Sequence, residues 1–173
     1  RDDEVGDNLR CFDLSNGKEL WNFKYEAPGS VMFPGSRSVP TVDGNHVYSC
    51  GHNGDLYCIG ISSHKRVWKA NVWTDFGGKP AGGSSGGFSS RGAASFPIWA
   101  ITQCPLVYRD LVIVASQAPE AGVVAYDKLT GEVKWKTANL GNESYASPSV
   151  VKIDGEDHVV MVISSTNPIG NRG

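Results

Sequence analysis

A short motif of Asp, Gly and Trp at fixed spacing constrains what this chain can fold into. The motif reads Asp-x-x-x-Gly-x-x-x-Trp, and its two full copies are Asp13, Gly17, Trp21 and Asp127, Gly131, Trp135. A third copy keeps Trp68 but has Gly60 and His64 in the first two positions. Three related copies in 173 residues predict a repeat architecture, in which neighbouring units bury each other's apolar faces.

Each residue type of the motif has a structural reason to be there. An Asp side chain accepts hydrogen bonds from backbone N–H groups two or more residues further on, and Gly adopts the left-handed conformation that closes a hairpin. The large, flat Trp ring then packs over a neighbouring turn. We therefore interpret the residues that recur among the three copies as blade-docking residues: Asp13, Gly17, Trp21, Trp68, Asp127, Gly131 and Trp135.

The segments before each motif Trp indicate β-structure. The distance from Pro40 to Trp68 is nearly the same as the distance from Pro105 to Trp135, and a further unit begins at Pro148. Within each unit, short β-branched and aromatic runs alternate with turn residues, as expected for an antiparallel sheet of four strands. No long segment is apolar at helical spacing, so helix should be nearly absent.

Two strands are apolar throughout, and this predicts how the sheets are stacked. LVIVA at 111–115 and VVMVI at 159–163 do not alternate with polar residues. Such strands are typical of sheets buried on both faces. Repeated four-stranded sheets that cover one another describe a β-propeller. The predicted fold class is all-β, a partial β-propeller of about three to four four-stranded antiparallel blades that is incomplete at both ends.

The repeat also predicts the organisation of the chain. Counting from the motif places both ends inside a blade, so either the sequence is a fragment of a longer chain or further copies or other chains complete the ring. Residues 1–8 are expected to be a loop or a frayed end. The expected segments of the single domain are 1–25 (end of a blade), 38–72 (blade), 73–99 (Gly-rich inserted loop), 104–138 (blade) and 147–173 (start of a blade).

Composition excludes two classes of partner. The net charge is −2 with dispersed basic residues, which removes the electrostatic driving force for nucleic-acid binding. No apolar run reaches the roughly 18–20 residues of a membrane span. The four cysteines occupy positions for small residues, so we expect buried free thiols and no disulfide.

The Gly-rich loop is the best functional candidate in the sequence. It offers charged and aromatic side chains for binding a cofactor or ligand: Trp73, Asp75, Lys79, Arg91 and Trp99. Loops of this length in compact domains are functional or mobile. The alternative is a flexible connector that packs its aromatic side chains on the propeller. The four histidines lack metal-ligand spacing and are expected at the surface.

The motif resembles that of a known family. Ala125, Asp127, Gly131 and Trp135 give the pattern A-x-D-x-x-x-G-x-x-x-W, which resembles the tryptophan-docking motif of the PQQ-like (quinoprotein) β-propellers. The segment WAITQCPLVYRDLVIVASQ is also similar to bacterial PQQ-binding-like repeat proteins. The resemblance implies a periplasmic or secreted protein. Some members of the family are quinone-dependent alcohol or sugar dehydrogenases, and others are protein-binding outer-membrane assembly lipoproteins without a cofactor.

The resemblance leaves two main functional hypotheses. Family enzymes have a Ca²⁺ site, a disulfide between adjacent cysteines and a Trp platform beneath the quinone, whereas this sequence has no adjacent cysteines, and its DGED at 154–157 reads as a hairpin turn. We expect a non-catalytic extracytoplasmic binding or scaffold module with a protein partner and no cofactor in this segment. The alternative is a fragment of a dehydrogenase that binds PQQ and Ca²⁺ under the Gly-rich loop. A third possibility is the sensor domain of a membrane-anchored receptor.

Overall fold

The computed structural model describes residues 6–27, 35–80, 96–97, 99–142 and 145–163. These residues form twelve β-strands and one short 3-10 turn, Thr74–Phe76, and they contain no α-helix. The strands are β1 (Gly6–Phe12), β2 (Glu19–Glu26), β3 (Thr41–Asp43), β4 (His46–Cys50), β5 (Asp55–Gly60), β6 (Lys65–Asn71), β7 (Leu106–Tyr108), β8 (Leu111–Val114), β9 (Val124–Asp127), β10 (Val133–Lys136), β11 (Ser149–Ile153) and β12 (Glu156–Val160).

The strands form four antiparallel sheets that follow the order of the chain. Sheet 1 is β1–β2, sheet 2 is β3–β4–β5–β6, sheet 3 is β7–β8–β9–β10 and sheet 4 is β11–β12. Within each sheet, strands that are consecutive in sequence pair with each other, and every pairing is antiparallel. The predicted all-β, partial propeller with four-stranded blades is confirmed.

The middle strands of sheets 2 and 3 are buried on both faces. Along β5, Leu56 and Cys58 belong to the apolar layer shared with sheet 3, whereas Tyr57 and Ile59 belong to the layer shared with sheet 1. Successive side chains of a strand point to opposite faces, so a strand between two other sheets is apolar at every position. The same alternation holds along β8, which confirms the two-sided burial predicted for LVIVA.

Sheet 4 departs from this expectation. Val159 and Met161 pack against the layer of sheet 3, but Val160, between them, is 49% exposed. The prediction that VVMVI is buried on both faces is therefore wrong for the described residues, because sheet 4 meets another sheet on one face alone. Residues 6–8, part of the predicted loop or frayed end over 1–8, also differ from the prediction: β1 begins at Gly6, which pairs with Glu26, while residues 1–5 lie outside the described residues.

The DGED segment is a hairpin turn, as expected. Asp154 and Gly155 have φ angles of 51° and 85°, the left-handed pair that a tight turn between antiparallel strands requires. The carboxylate of Asp157 lies 2.7 Å from Arg109 and 2.9 Å from Lys152. This hairpin therefore fastens sheet 4 to the hairpin of sheet 3.

A Trp ring lies on the turn of the next sheet at the junction of sheets 2 and 3. The Nε1 of Trp68 donates a hydrogen bond of 2.9 Å to the carbonyl oxygen of Lys128, and its ring stacks on Tyr126 at 6.1 Å. Gly131 has a φ of +76°, and a Cβ there would lie 2.7 Å from Cδ2 of Trp68. The position therefore needs Gly both for its conformation and for the space that the ring occupies.

The motif residue Asp127 holds this turn in shape. The Oδ1 atom of Asp127 accepts hydrogen bonds from the backbone N–H groups of Leu129 and Thr130, at 2.9 and 3.0 Å. These bonds favour the charged carboxylate and lower the pKa of Asp127. Asp13 makes the corresponding contact in sheet 1, where its Oδ1 accepts from the N–H of Ser15 at 2.7 Å.

The middle copy keeps the arrangement with different residues. The ring of Trp21 stacks on His64 at 5.2 Å, so a flat imidazole occupies the position that Gly131 has in the next copy. His64 itself has a φ of 53°. Where the other copies have Asp, Gly60 leaves the cap to Asn45, whose Oδ1 accepts from the N–H of Ser62 at 3.0 Å. The blade-docking role of these positions stays a prediction that these contacts favour.

The glycine under Trp68 provides a test of this contact. Gly131→Ala adds a methyl group to a left-handed residue, which costs about 1–2 kcal/mol, and forces it against the indole, which costs about 1–3 kcal/mol more. Gly44→Ala is the matched control, because Gly44 also has a positive φ (+54°) but a Cβ there would meet no atom within 4 Å. Urea unfolding followed by Trp fluorescence should show the larger loss of stability for Gly131→Ala. Equal losses in the two variants would mean that the ring contact contributes nothing.

Candidate functional site

The buried polar residues of the described chain all lie at one edge of the sheets. We call this the loop edge: it is where β2, β6 and β10 end and where the β4–β5 and β8–β9 connections lie. The opposite edge carries the motif turns. The buried polar residues are His52, Asn53, Gln103, Ser116 and Gln117.

Two of these side chains tie neighbouring sheets together in the same way. The Nδ2 of Asn53, in the β4–β5 connection, donates to the carbonyl oxygen of Ala27 at 2.9 Å. The Oγ of Ser116, in the β8–β9 connection, donates to the carbonyl oxygen of Val72 at 2.6 Å. Ala27 and Val72 each follow the last strand of the preceding sheet, so the loop edge repeats one cross-sheet hydrogen bond.

The amide side chain of Gln103 links three segments of the loop edge. Its Oε1 accepts from the N–H of Ala115 at 3.3 Å, and its Nε2 donates to the carbonyl oxygen of Ala146 at 3.2 Å. Gln117 similarly accepts from the N–H of Leu140 at 3.0 Å. Buried polar groups are costly unless they are hydrogen-bonded, and these bonds hold the connections in fixed positions.

A cluster of polar side chains joins sheets 1 and 2 at the same edge. The Oδ2 of Asp7 lies 3.3 Å from Nδ1 of His52 and accepts a hydrogen bond of 3.4 Å from the Tyr25 hydroxyl. A Cβ at Gly51 would lie 2.9 Å from the same carboxylate oxygen, so Gly51 leaves room for this approach. Burial alone would raise the pKa of Asp7, but His52 and the Tyr25 hydroxyl outweigh it and lower the pKa below its ordinary value.

The pKa of Asp55, in the same region, is shifted in the opposite direction to that of Asp7. Its Oδ1 accepts a hydrogen bond of 3.2 Å from the side chain of Asn71, while its Oδ2 is buried without a hydrogen-bond partner. Burial raises the pKa of Asp55, and the bond from Asn71 only partly offsets this effect. The loop edge therefore holds one carboxylate whose charge is stabilised and one whose charge is not.

The first Trp of the Gly-rich loop is buried at the loop's base. Trp73 is 3% exposed, its Nε1 donates to the carbonyl oxygen of Lys79 at 2.9 Å, and its ring meets Phe96 edge-on at 5.7 Å. Its indole is thus already covered by the loop itself. Lys79 contributes its backbone to this contact.

The carboxylate of Asp75 has a structural contact of its own. Its Oδ2 accepts from the backbone N–H of Asn71 at 2.7 Å, and the Asn71 side chain accepts from the N–H of Trp73 and Thr74 at 3.0 and 2.9 Å. These bonds close the 3-10 turn that follows β6. A role in ligand binding for Trp73, Asp75 and Lys79 stays a prediction.

The remaining candidates of the loop are Trp99 and Arg91. Trp99 is 47% exposed, and Arg91 lies outside the described residues. Leu140 and Tyr145, in the β10–β11 connection, are 47% and 43% exposed. The loop edge therefore combines a hydrogen-bonded interior with exposed aromatic and aliphatic side chains.

The sequence patterns do not predict the buried polar residues of this edge. The histidines were expected at the surface, and this is wrong for His52, which is 5% exposed. A signal was present, because His52-Asn53 and Ser116-Gln117 both follow the buried second strand of their units. Polar pairs at the same position of two repeats, directly after apolar strands, indicate a shared structural role.

The cysteines are free thiols, and no ligand cluster is found in the described ranges. Cys11, Cys50, Cys58 and Cys104 form no disulfide, and burial raises the pKa of Cys58 to about 11. Over residues 6–27, 35–80, 96–97, 99–142 and 145–163, no group of three or more His, Cys, Asp or Glu side chains is arranged to hold a metal ion. Nor does this part of the chain include a helix long and apolar enough to cross a bilayer.

Removal of the carboxylate charge should change the free energy of unfolding in opposite directions at Asp7 and at Asp55. Asp7→Asn should lower the free energy of unfolding at pH 7 by about 1–3 kcal/mol, because it removes the charge that His52 and Tyr25 contact. Since the pKa of Asp7 is lowered in the folded state, its contribution is present above the ordinary pKa of 3.8 and is lost as the pH falls through the lowered value. The acid side of a plot of stability against pH should therefore flatten in this variant.

Asp55→Asn is the matched control, with the opposite expected sign. The amide retains an oxygen for Asn71 and removes a carboxylate whose pKa is raised by burial, so stability at pH 7 should be unchanged or higher. Chemical denaturation between pH 3 and 8 measures both variants. A greater loss for Asp55→Asn than for Asp7→Asn would contradict this assignment of charges.

Comparisons with known proteins agree with the architecture. A family model described as outer membrane protein assembly factor BamB matches residues 6–169. A comparison with curated proteins finds no match. Among solved structures, BamB from Moraxella catarrhalis is similar with a TM-score of 0.51 and 17% identity, covering 88% of this chain and 38% of that one.

Two dehydrogenases have a similar fold, with TM-scores close to that of BamB. The europium-containing methanol dehydrogenase has a TM-score of 0.50 and 18% identity, covering 76% of this chain and 21% of that one. The quinohemoprotein alcohol dehydrogenase ADHIIG from Pseudomonas putida HK5 has a TM-score of 0.50 and 20% identity, covering 73% and 17%. The chain thus spans well under half of each of these structures, and identities this low show the fold alone.

The family match rests on more than the fold, because it extends over nearly the whole sequence. It includes all four sheets, the motif turns and the connections of the loop edge. The chain therefore belongs to the PQQ-like β-propeller repeat family whose model is described as outer membrane protein assembly factor BamB.

Proposed function

We propose that this chain is part of a non-catalytic β-propeller that acts outside the cytoplasm as a protein-binding or scaffold module. The observation that carries the proposal is the family match over residues 6–169. The family description names an assembly factor of outer-membrane proteins. Carried over to this chain, it implies a periplasmic location and a partner from the outer-membrane assembly machinery.

The loop edge supports a binding role. Its polar side chains hydrogen-bond the backbone of neighbouring connections, as Ser116 does with Val72, so the edge presents fixed loops. Trp99, Leu140 and Tyr145 are 43–47% exposed there. Aromatic side chains are enriched in protein interfaces and often contribute most of the binding energy. We infer that a protein partner contacts this edge.

The dehydrogenase hypothesis is retained as the alternative function. It requires PQQ and Ca²⁺ near the Gly-rich loop, with Trp73, Asp75, Lys79, Arg91 and Trp99 as candidate contacts. The described part of the loop does not fit a quinone site, since the Trp73 ring is buried and the Asp75 carboxylate accepts a backbone hydrogen bond. The fold similarity to two dehydrogenases favours this alternative no more than any other propeller function.

Site-specific photo-crosslinking tests the partner surface. A photoreactive phenylalanine analogue at Trp99 in the host bacterium should crosslink to a component of the outer-membrane assembly machinery. The same analogue at Val67 is the control, because Val67 is equally exposed (47%) but lies on the outer strand β6. Crosslinks from both positions, or from neither, would contradict a partner at the loop edge.

Cofactor titration tests the alternative. We expect the 173-residue chain, mixed with PQQ and Ca²⁺, to show no change in the quinone absorption spectrum and no dye-linked oxidation of alcohols. Equilibrium dialysis against PQQ measures binding separately from activity. Stoichiometric binding that is lost in Trp99→Ala would instead favour the dehydrogenase hypothesis and its loop site.

A further inference from the structure

Two of the cysteines lie at the junction of sheets 2 and 3, near the loop edge. Cys50 is the last residue of β4, it is fully buried, and it belongs to the apolar layer that sheet 2 shares with sheet 3. Cys104 is partly buried and precedes Pro105, just before the first strand of sheet 3. The side chain of Cys50 thus faces the sheet that the chain enters at Cys104.

The two cysteines also share a neighbour, Val39. The Sγ of Cys104 accepts a hydrogen bond of 3.2 Å from the backbone N–H of Val39. In β3 and β4, Thr41 pairs with Tyr48. The same antiparallel register, continued by two residues, places Val39 opposite Cys50, with Cα atoms about 4.5–5.5 Å apart. The sulfur of Cys104 and the backbone of Cys50 therefore lie against the same residue.

The electrostatics of the junction agree with a short separation. Burial raises the pKa of the Cys50 thiol, and the nearby Asp55, Cys104 and Asp7 add to this rise. A negative charge raises the pKa of an acidic neighbour when the two groups are close. The buried Cys50 is thus held as a thiol, and the partly buried Cys104 is the member of the pair that a reagent in solution reaches first.

The next repeat shows that neither position needs a thiol for packing. Ala115 holds the position of Cys50, and it belongs to the apolar layer shared with sheet 4. Ser147, also before a proline, holds the position of Cys104. Its Oγ accepts a hydrogen bond of 2.7 Å from the N–H of Cys104, as the Cys104 sulfur does at its own junction. Two thiols at one junction are therefore not a requirement of the fold.

We propose that Cys50 and Cys104 form a reversible redox pair that is oxidised by low-molecular-weight disulfides such as glutathione disulfide. The Cys104 thiolate attacks one sulfur of the oxidant, so that the S–S bond breaks, one glutathione thiolate leaves and a mixed disulfide forms. The Cys50 thiol then loses its proton and displaces the second glutathione thiolate from Cys104. Two cysteine thiols are oxidised to one disulfide, and their two protons go to the two glutathione thiols that are released.

The disulfide would constrain the base of the Gly-rich loop. It closes a covalent ring over residues 50–104, which includes the whole loop at 73–99. A cross-link of this kind stabilises a protein mainly by limiting the unfolded chain, and the effect increases with the length of the closed segment. Oxidation should therefore stabilise the segment that joins sheets 2 and 3. Neither a protein partner nor a quinone is needed for this chemistry.

Mass spectrometry of the folded protein in glutathione redox buffer tests the pair. The oxidised chain should lose the mass of two hydrogen atoms, and trypsin should release residues 38–65 linked to residues 92–109. Because the first peptide contains both Cys50 and Cys58, Cys58→Ala is the matched control and should keep the link. Cys50→Ala and Cys104→Ser introduce the residues of the next repeat, so they should fold, as checked by circular dichroism, and lose the link.

Three results would overturn the redox pair. A glutathione adduct that persists on Cys104 would mean that Cys50 is out of its reach. A link that remains in Cys50→Ala would assign the disulfide to Cys58. A Cys104 thiol that stays unmodified in excess glutathione disulfide would mean that the oxidant does not reach the junction.

Urea unfolding gives a second readout. Oxidation should raise the urea midpoint of the native chain and of Cys58→Ala by about 1 M or more, and dithiothreitol should reverse the shift. Cys50→Ala should unfold at the same urea concentration with and without the oxidant. An equal shift in Cys50→Ala would show that the stabilisation comes from other cysteines, and this result would contradict the proposal.

Discussion

The packing of an indole ring on the backbone of a neighbouring turn is the contact on which this architecture depends. Trp68 lies where a Cβ at Gly131 would come within 2.7 Å, and it donates a hydrogen bond to the same turn. Adjacent sheets of the stack share few backbone hydrogen bonds, so side-chain contacts must set their distance and angle. A large, rigid ring provides both constraints at the junction of sheets 1 and 2, where Trp21 stacks on His64, and at the junction of sheets 2 and 3, where Trp68 lies on the Gly131 turn.

The second repeat shows that this constraint concerns shape and hydrogen bonding more than residue identity. His64 offers Trp21 a flat ring at 5.2 Å in place of the bare backbone of Gly131. Asn45 provides the oxygen that caps the turn, although it belongs to another hairpin of the same sheet. Asn45 and His64 therefore compensate for the missing motif Asp and Gly in this copy, and the junction between sheets 1 and 2 is retained.

The sequence predicts the fold well because local patterns determine it. Strand alternation, turn residues and the motif spacing all act within one unit, and the structure has the antiparallel sheets that these patterns predict. The sequence predicts the loop edge poorly because burial there depends on neighbouring sheets. His52 is buried where its Nδ1 lies 3.3 Å from the carboxylate of Asp7 in sheet 1, and Val160 is exposed because, among the described residues, sheet 4 packs against sheet 3 on one face. Neither result is visible in a window of one strand.

The distribution of buried polar groups separates the two edges of the stack. An apolar side chain in place of Gln103 or Ser116 would avoid the cost of removing a polar group from water. The hydrogen bonds of these two side chains to Ala146, Ala115 and Val72 run to the backbone of connecting segments, which apolar packing would hold less precisely. At the loop edge, buried polar side chains thus hold the loops in defined positions. The buried polar residues of the described chain all lie at this edge and not at the motif edge. Connections held in this way are the part of a rigid scaffold that can carry a binding surface.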